Sequence, residues 1–213
     1  MFRFAQICRL RVNTDEEGVR TLIAAAGCPL RCRYCINPHT WNGEGRVRLL
    51  SAKELYDEIR LDQLYFISTG GGVTFGGGEP LLYASDIAGF RGLCGDEYTL
   101  YAETSLAVPW EAVSTAARCI DRFYVDIKAM EPDQYRLYAG GDLNLAIDNL
   151  LRLLEISDPD HIIVRIPRIP GLTSAVDQQR SKEKLEGMGV QHFQLFSYTI
   201  PSGRYPLIIK WPF

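Results

Sequence analysis

Short runs of apolar and β-branched residues recur along the chain, and segments with helical periodicity separate most of them. Such alternation predicts parallel strands joined by crossover helices. Six runs qualify as strands: residues 19–25, 73–75, 98–103, 123–128, 162–167 and 193–198. Five segments qualify as helices: residues 52–65, 86–93, 110–118, 143–155 and 177–188. The first helix has the sequence of a capping box, with Ser51 as N-cap and Glu54 three residues later.

Six β/α units are fewer than the eight that close a TIM barrel. We therefore expect an α/β fold in which the sheet curls into a partial (β/α)6 TIM-type barrel with an open side. No linker or composition shift divides the sequence, so we predict a single domain over residues 1–213 with short terminal extensions. Barrel enzymes place their chemistry at the carboxyl ends of the strands, where this chain has its unusual residues.

Three cysteines follow the first predicted strand within eight residues, with the spacing C-x3-C-x2-C: Cys28, Cys32 and Cys35. Thiolates bind metal ions, and a tight loop of this kind directs three sulfurs at one centre. Zinc would find a fourth ligand in His39, giving a closed Cys3His site. A four-iron four-sulfur cluster would keep one iron free for another ligand. Buried free thiols are the third possibility, and the spacing alone leaves all three open.

The other strand ends carry glycine or charge. The second strand leads into Gly76-Gly77-Gly78-Glu79, a turn in which a backbone can approach a ligand closely. The next strands end in charged and polar residues that would meet at one rim of the barrel: Glu103, Thr104, Asp126 and Lys128. Arg165 lies among apolar residues of the fifth strand, where a buried guanidinium needs an anion.

Composition narrows the class of partner. The formal net charge is −3 and the basic residues are scattered, which argues against nucleic acid as a partner. No run approaches ~18 consecutive apolar residues, and the first residues lack the pattern of a signal peptide, so we expect a cytoplasmic protein without a membrane partner. Cys8, Cys94 and Cys119 are far apart in sequence and are predicted to be free thiols in a reducing compartment.

The segment 27–41, with its three cysteines, resembles the signature of the radical S-adenosylmethionine (SAM) enzymes. Within that group it is similar to the activating enzymes of glycyl radical enzymes. The resemblance implies that Cys28, Cys32 and Cys35 hold a 4Fe-4S cluster whose open iron takes the amino and carboxylate groups of SAM. It also implies that Tyr34 and Ile36 lie along the adenine.

Later motifs extend the resemblance over nearly the whole chain. The segment 71–80 is similar to the family's second motif, which implies that Gly77, Gly78 and Glu79 contact the SAM amino group. By position in the family, Lys128 would meet the SAM carboxylate and Arg165 would lie near SAM. The resemblance further implies a monovalent cation held by these three residues: Glu103, Thr104 and Asp126.

The implied activity is reductive cleavage of SAM to a 5'-deoxyadenosyl radical, which removes a glycine Cα hydrogen from a large glycyl radical enzyme. The reductant would be a flavodoxin or a ferredoxin, and the chemistry would be anaerobic. Glu16 stands where the family has a glycine, and Thr199 stands where it commonly has a histidine. The alternative is a radical SAM enzyme that acts on another peptide or on a purine-like small molecule. A zinc-binding adaptor is a third hypothesis.

Overall fold

The computed structural model describes residues 1–12, 18–41, 47–169 and 171–198. Within them an eight-stranded sheet has the order β3-β1-β2-β4-β5-β6-β7-β8. The strands are β1 Phe2–Val12, β2 Val19–Ala25, β3 Arg48–Leu50, β4 Gly72–Gly77, β5 Thr99–Thr104, β6 Arg122–Asp126, β7 Ile162–Arg168 and β8 His192–Ser197. The helices are α1 Ala52–Ile59, α2 Gln63–Thr69, α3 Ala84–Cys94, α4 Trp110–Ala116, α5 Pro132–Ala139, α6 Leu143–Ile156 and α7 Ala175–Gly187.

The prediction of a partial (β/α)6 barrel is confirmed. Strand β2 and strands β4 to β8 pair in parallel in chain order, and the sheet does not close on itself. Two strands that the sequence analysis did not predict, β1 and β3, extend the sheet beyond β2 with antiparallel pairing. All six parallel strands therefore present their carboxyl ends at one edge of the sheet, which is the edge that carries the motifs.

The helix predicted over residues 52–65 is wrong in its length. Helix α1 ends at Ile59, a 3-10 turn spans Arg60–Asp62, and α2 begins at Gln63. The side chain of Asp62 is nearly buried and accepts hydrogen bonds from Arg9 at 2.8 Å and from Thr21 at 3.0 Å. These bonds hold the turn against the sheet, so one straight helix cannot continue through it. The capping box at Ser51 and Glu54 forms as predicted.

The two faces of the sheet bury different side chains. On the helix-covered face Phe75 packs against Phe2 and Phe90, with ring centroids 5.9 and 5.7 Å apart. A separate, smaller apolar cluster consists of Tyr101, Tyr124 and Ile163. These three residues alternate with the ones that face the helices, so they line the concave face of the sheet. In the described ranges no helix is both long and apolar enough to cross a membrane.

Candidate active site

The cysteine loop and the glycine turn are joined through their backbones. The amide of Gly78 donates to the carbonyl of Ala25 at 3.0 Å, and the amide of Glu79 donates to the carbonyl of Gly27 at 2.8 Å. Both acceptors lie between the end of β2 and Cys28, and both donors lie directly after β4. Two motifs that are about 50 residues apart in sequence therefore form one backbone unit at the carboxyl edge of the sheet.

Glycine is required at two positions of this unit. Gly77 has a φ of +87°, and a Cβ there would lie 2.7 Å from the backbone of Ala24. A Cβ on Gly78 would lie 2.3 Å from the carbonyl oxygen of Gly27. Real side chains do not tolerate such distances, and φ in this range is strained for other residues. The glycine run thus serves first to bring the turn against the cysteine loop.

The three cysteines are partly buried free thiols, and none of them is in a disulfide. Burial, followed by the nearby Glu79 carboxylate, raises the pKa of Cys28 to about 12, and Cys32 and Cys35 add to this increase. Burial also raises the pKa of Cys32 to about 11, against the opposing effect of Lys128. The thiols therefore remain protonated at neutral pH unless a bound metal displaces the protons.

The cysteines fit an iron-sulfur cluster by their chemistry and proximity. Three soft sulfur donors lie on one loop, and neighbouring cysteines raise the pKa of Cys28 and of Cys32. Such a set of donors suits iron-sulfur ligation. Across the part of the chain that the structure describes, no three Cys, His, Asp or Glu side chains already form a group that could hold a metal ion. Binding a cluster would therefore have to draw the three sulfurs together.

Glu79 is buried and its carboxylate serves the protein itself. It accepts hydrogen bonds from the Thr104 hydroxyl at 2.7 Å, from the Ser105 hydroxyl at 2.7 Å and from the Ser105 amide at 2.9 Å. The amide of Leu81 is a further donor at 3.2 Å. Burial raises the pKa of Glu79, and these donors oppose the increase. The side chain thus ties the glycine turn to the end of β5, and Ser105 is a site residue that the sequence analysis missed.

A second carboxylate at the same rim is bound by cations. Arg165 donates through Nε to Asp126 at 2.6 Å and through Nη1 to Glu103 at 3.0 Å, while Lys128 donates to Asp126 at 2.7 Å. Asp126 and Arg165 are neighbours in the register of β6 and β7. Burial would raise the pKa of Asp126, but Arg165 and Lys128 outweigh it and lower the pKa to about 2. We call Glu103, Asp126, Lys128 and Arg165 the rim charge network.

The rim charge network affects whether the expected monovalent cation could reach its ligands. Of its three expected ligands, Glu103 and Asp126 bind Arg165, and Thr104 donates its hydroxyl to Glu79. A cation on these groups would have to compete with a guanidinium that is already in place. The structure also brings Lys128 within electrostatic reach of Cys32, as expected for a lysine beside the cysteine loop.

Aromatic residues border the third cysteine. The ring of Tyr34 stacks on Tyr138 with centroids 6.3 Å apart, and it meets Tyr198 edge-on at 6.0 Å. The Tyr198 hydroxyl donates to the carbonyl oxygen of Tyr34. Ile36 is 72% exposed, so its apolar side chain is accessible from solvent. These positions are compatible with the expected adenine contacts of Tyr34 and Ile36.

Helix α5 is the part of the site that sequence analysis missed entirely. Its last residues accept two backbone hydrogen bonds from the cysteine loop, from Arg31 to Ala139 at 2.7 Å and from Arg33 to Tyr138 at 2.9 Å. Tyr135 of the same helix is fully buried. Pro132 at the first position and Gly140 just after the last were signals for this helix.

Residues 15–17 with Glu16, residue Thr199 and the C-terminal tail lie outside the described residues.

Comparison with known families identifies the class of protein. A model of the Radical SAM superfamily matches residues 22–175. This is more than half of the 213 residues, and the chain belongs to that superfamily. Membership implies a 4Fe-4S cluster and SAM. The crystal structure of Streptococcus suis SuiB bound to S-adenosylmethionine has a TM-score of 0.63 at 18% identity, over 83% of this chain and 39% of that one, which supports the fold alone.

Relatives of known function confirm the likeness to the activating enzymes. Pyruvate formate-lyase 2-activating enzyme of Escherichia coli (strain K12) is 28% identical, over 92% of this chain and 77% of that protein. The (2S)-3-sulfopropanediol dehydratase activating enzyme of Klebsiella oxytoca is 27% identical, over 74% and 68%. Pyruvate formate-lyase-activating enzyme of Clostridium pasteurianum is 33% identical, over 66% of this chain and 58% of that protein. The chain thus spans between about three fifths and three quarters of these relatives.

Proposed function

We propose that this protein activates a glycyl radical enzyme. Bound at the cysteine loop, a reduced 4Fe-4S cluster would supply the electron that cleaves SAM to methionine and a 5'-deoxyadenosyl radical, which takes a glycine Cα hydrogen from the partner. A flavodoxin or ferredoxin would reduce the cluster. The observation that carries the proposal is the backbone unit in which the loop of Cys28, Cys32 and Cys35 is bonded to the Gly77–Glu79 turn.

The chain's own residues have defined tasks in this proposal. Cys28, Cys32 and Cys35 hold the cluster, and the exposed Ile36 with Tyr34 borders the adenine. Because the Glu79 carboxylate is already bonded to Thr104, Ser105 and Leu81, contact with the SAM amino group falls to the peptide groups of the turn rather than to that side chain.

Lys128 and Arg165 supply the positive charge for the SAM carboxylate. Burial would lower the pKa of Lys128, but Asp126 raises it, so the ammonium group remains charged at neutral pH. A charged hydrogen bond of this kind contributes about 1.5–3 kcal/mol. Asp126 holds both cations in place, and its own bonds to them fix where the SAM carboxylate can approach.

The first experiment tests the cluster. After anaerobic reconstitution with iron and sulfide the chain should be brown and hold about four irons. Cys32→Ser should lose the cluster, while Cys94→Ser, a matched change in a buried thiol outside the loop, should keep it. One tightly bound zinc with no iron would contradict the proposal and favour the adaptor hypothesis.

The second experiment tests the SAM site and the partner. Lys128→Ala should keep the iron and weaken SAM binding by about 1.5–3 kcal/mol, whereas Lys184→Ala, which removes an exposed lysine paired with Glu131, should leave affinity unchanged. The reduced enzyme, SAM and a candidate glycyl radical enzyme, mixed without oxygen, should then give a glycine-centred doublet in electron paramagnetic resonance. SAM cleavage that is stimulated by a small molecule, with no partner radical, would contradict the assigned substrate.

A further inference from the structure

The hydroxyl of Tyr135 is a buried polar group without a partner. Tyr135 has no exposed surface, and its oxygen makes no hydrogen bond within the described part of the chain. A buried hydroxyl that is left unpaired costs free energy, because it has lost its bonds to water. Buried polar groups are nearly always bonded, so an exception calls for a physical reason such as a ligand that completes the bond.

The position of Tyr135 indicates which ligand that is. Helix α5 is bonded to the cysteine loop by the two backbone hydrogen bonds from Arg31 and Arg33, so its side chains are held against that loop. Burial raises the pKa of Tyr135, and the next contributions come from Cys32, Glu79 and Cys28, in that order. The side chain of Leu30, which lies between Cys28 and Cys32, and the ring of Tyr135 both border Gly141, so the phenol ring lies beside the cysteine loop. Its proton remains on the oxygen at neutral pH.

A ligand held by the cysteines could supply the acceptor that the Tyr135 hydroxyl lacks. Glu79 already accepts bonds from Thr104, Ser105 and Leu81, and in the described residues no thiol accepts from Tyr135. The sulfur atoms of a bound cluster carry negative charge and are good acceptors. Hydrogen bonds to cluster sulfurs are one of the main factors that set reduction potential, because the reduced state carries one more negative charge.

We propose that the Tyr135 hydroxyl donates a hydrogen bond to a sulfur of the 4Fe-4S cluster and raises the reduction potential of that cluster. Tyr135 is then a positioning residue that acts on the cluster rather than on SAM or on the glycine. This inference rests on the proposed function, since it requires the cluster on Cys28, Cys32 and Cys35.

The test compares the reconstituted wild-type protein with Tyr135→Phe, a change that removes one oxygen and keeps the ring. We expect an unchanged iron content and a reduction equilibrium constant about tenfold lower, which is ~59 mV for one electron. In electron-nuclear double resonance, exchangeable protons near the reduced cluster are identified by comparing samples in H2O and D2O. Tyr135→Phe should show one such proton coupling fewer than the wild-type protein. SAM affinity should be unchanged.

Tyr98→Phe is the matched control. Tyr98 is also a buried tyrosine, but its hydroxyl lies against Cys94, and it directly precedes β5 and so lies at the amino edge of the sheet, away from the cysteine loop. The reduction potential of the cluster in Tyr98→Phe should equal that of the wild-type protein. An equal shift in both variants, or no shift and no lost proton coupling in Tyr135→Phe with iron retained, would overturn the inference.

A second variant covers the case in which Tyr135→Phe does not fold. Incorporation of 2,3-difluorotyrosine at position 135 keeps the hydroxyl and makes it a stronger donor, so the potential should rise above that of wild type. An unchanged or lower potential contradicts the inference. Failure of the proposed function looks different, because the wild-type chain itself would then hold no iron.

Discussion

Two carboxylates lie at the same rim of the sheet, Glu79 buried and Asp126 partly buried, and they have opposite properties. Glu79 is surrounded by neutral donors, namely hydroxyls and amides, and burial raises its pKa. Asp126 is bound by the cations Arg165 and Lys128, and its pKa falls to about 2. The same functional group therefore has a raised pKa in the turn after β4 and a lowered pKa at the end of β6.

The difference corresponds to two tasks. Glu79 joins the glycine turn to the end of β5 through Thr104 and Ser105, so it fixes the backbone beside the cysteine loop. Asp126 fixes two cations, Lys128 and Arg165, which in the proposed function meet the SAM carboxylate. Neutral donors suffice for the first task, because only geometry has to be held. The second task requires a permanent negative charge, which only strong cations can maintain in a buried position.

The largest effect should come from Asp126→Ala. It leaves Lys128 without the carboxylate and Arg165 with Glu103 alone, and we expect a loss of ~3 kcal/mol in the free energy of unfolding. Asp133→Ala is the control, since it removes a fully exposed carboxylate paired with Arg136 and should change stability by less than ~0.5 kcal/mol. Urea unfolding measures both. Similar losses in the two variants would mean that the ion pairs of Asp126 contribute no more to stability than a weak surface pair.

The pH dependence should separate the two carboxylates by sign. The folded pKa of Asp126 is lowered from 3.8 to about 2, so its contribution of about 2 kcal/mol is complete above pH ~4 and is lost as pH falls through 2. The folded pKa of Glu79 is raised, so its contribution is complete below its unfolded pKa and is lost as pH rises through the folded value.

Unfolding of the metal-free chain across this range tests both signs. Asp126→Asn should flatten the rise in stability between pH 2 and 4, and Glu79→Gln should flatten the decline above pH ~4. Parallel curves for the two variants would show that the environments do not differ as described.

The smallest effect should come from Ser105→Ala. It removes one hydroxyl donor from Glu79 and keeps the Ser105 amide and Thr104, so we expect a loss of about 1.5 kcal/mol and a further rise in the pKa of Glu79. Ser114→Ala removes an exposed hydroxyl bonded to a helix carbonyl and should change stability by less than ~0.5 kcal/mol. Unfolding in urea compares them, and a neutral Ser105→Ala would mean that the amide alone holds Glu79.

The parallel part of the fold could be predicted because each strand is a short run rich in apolar and β-branched residues, and helical segments separate most of these runs. Strand β1 was missed, although Phe2 and Phe4 are buried, because register shifts between Phe4 and Gln6 and between Cys8 and Arg11 break its alternation. Helix α5 has only eight residues and few aliphatic ones, and its burial depends on contact with a loop about 100 residues earlier. Local periodicity does not contain such information.

The sequence places the charged residues of the rim at strand ends, but it does not indicate their hydrogen-bond partners. The positions Glu79, Asp126 and Arg165 follow from motifs at strand ends. The bond from Arg165 to Asp126 follows instead from the register of β6 and β7. The Ser105 hydroxyl that donates to Glu79 comes from the loop after β5. These pairings are set by tertiary structure, which explains why the motif around Glu79 did not reveal its bonds to Ser105.

The attachment of the cysteine loop to α5 has a consequence for sequence variation and protein engineering. Both hydrogen bonds run from backbone amides to backbone carbonyls, from Arg31 to Ala139 and from Arg33 to Tyr138. Any residue with an amide proton can supply them, so natural drift or a designed library can vary Arg33 without detaching the loop. Arg31 is more constrained, because its guanidinium also donates to the carbonyls of Cys28 at 2.5 Å and Leu30 at 2.8 Å. Proline is the exception, since it has no amide proton to donate.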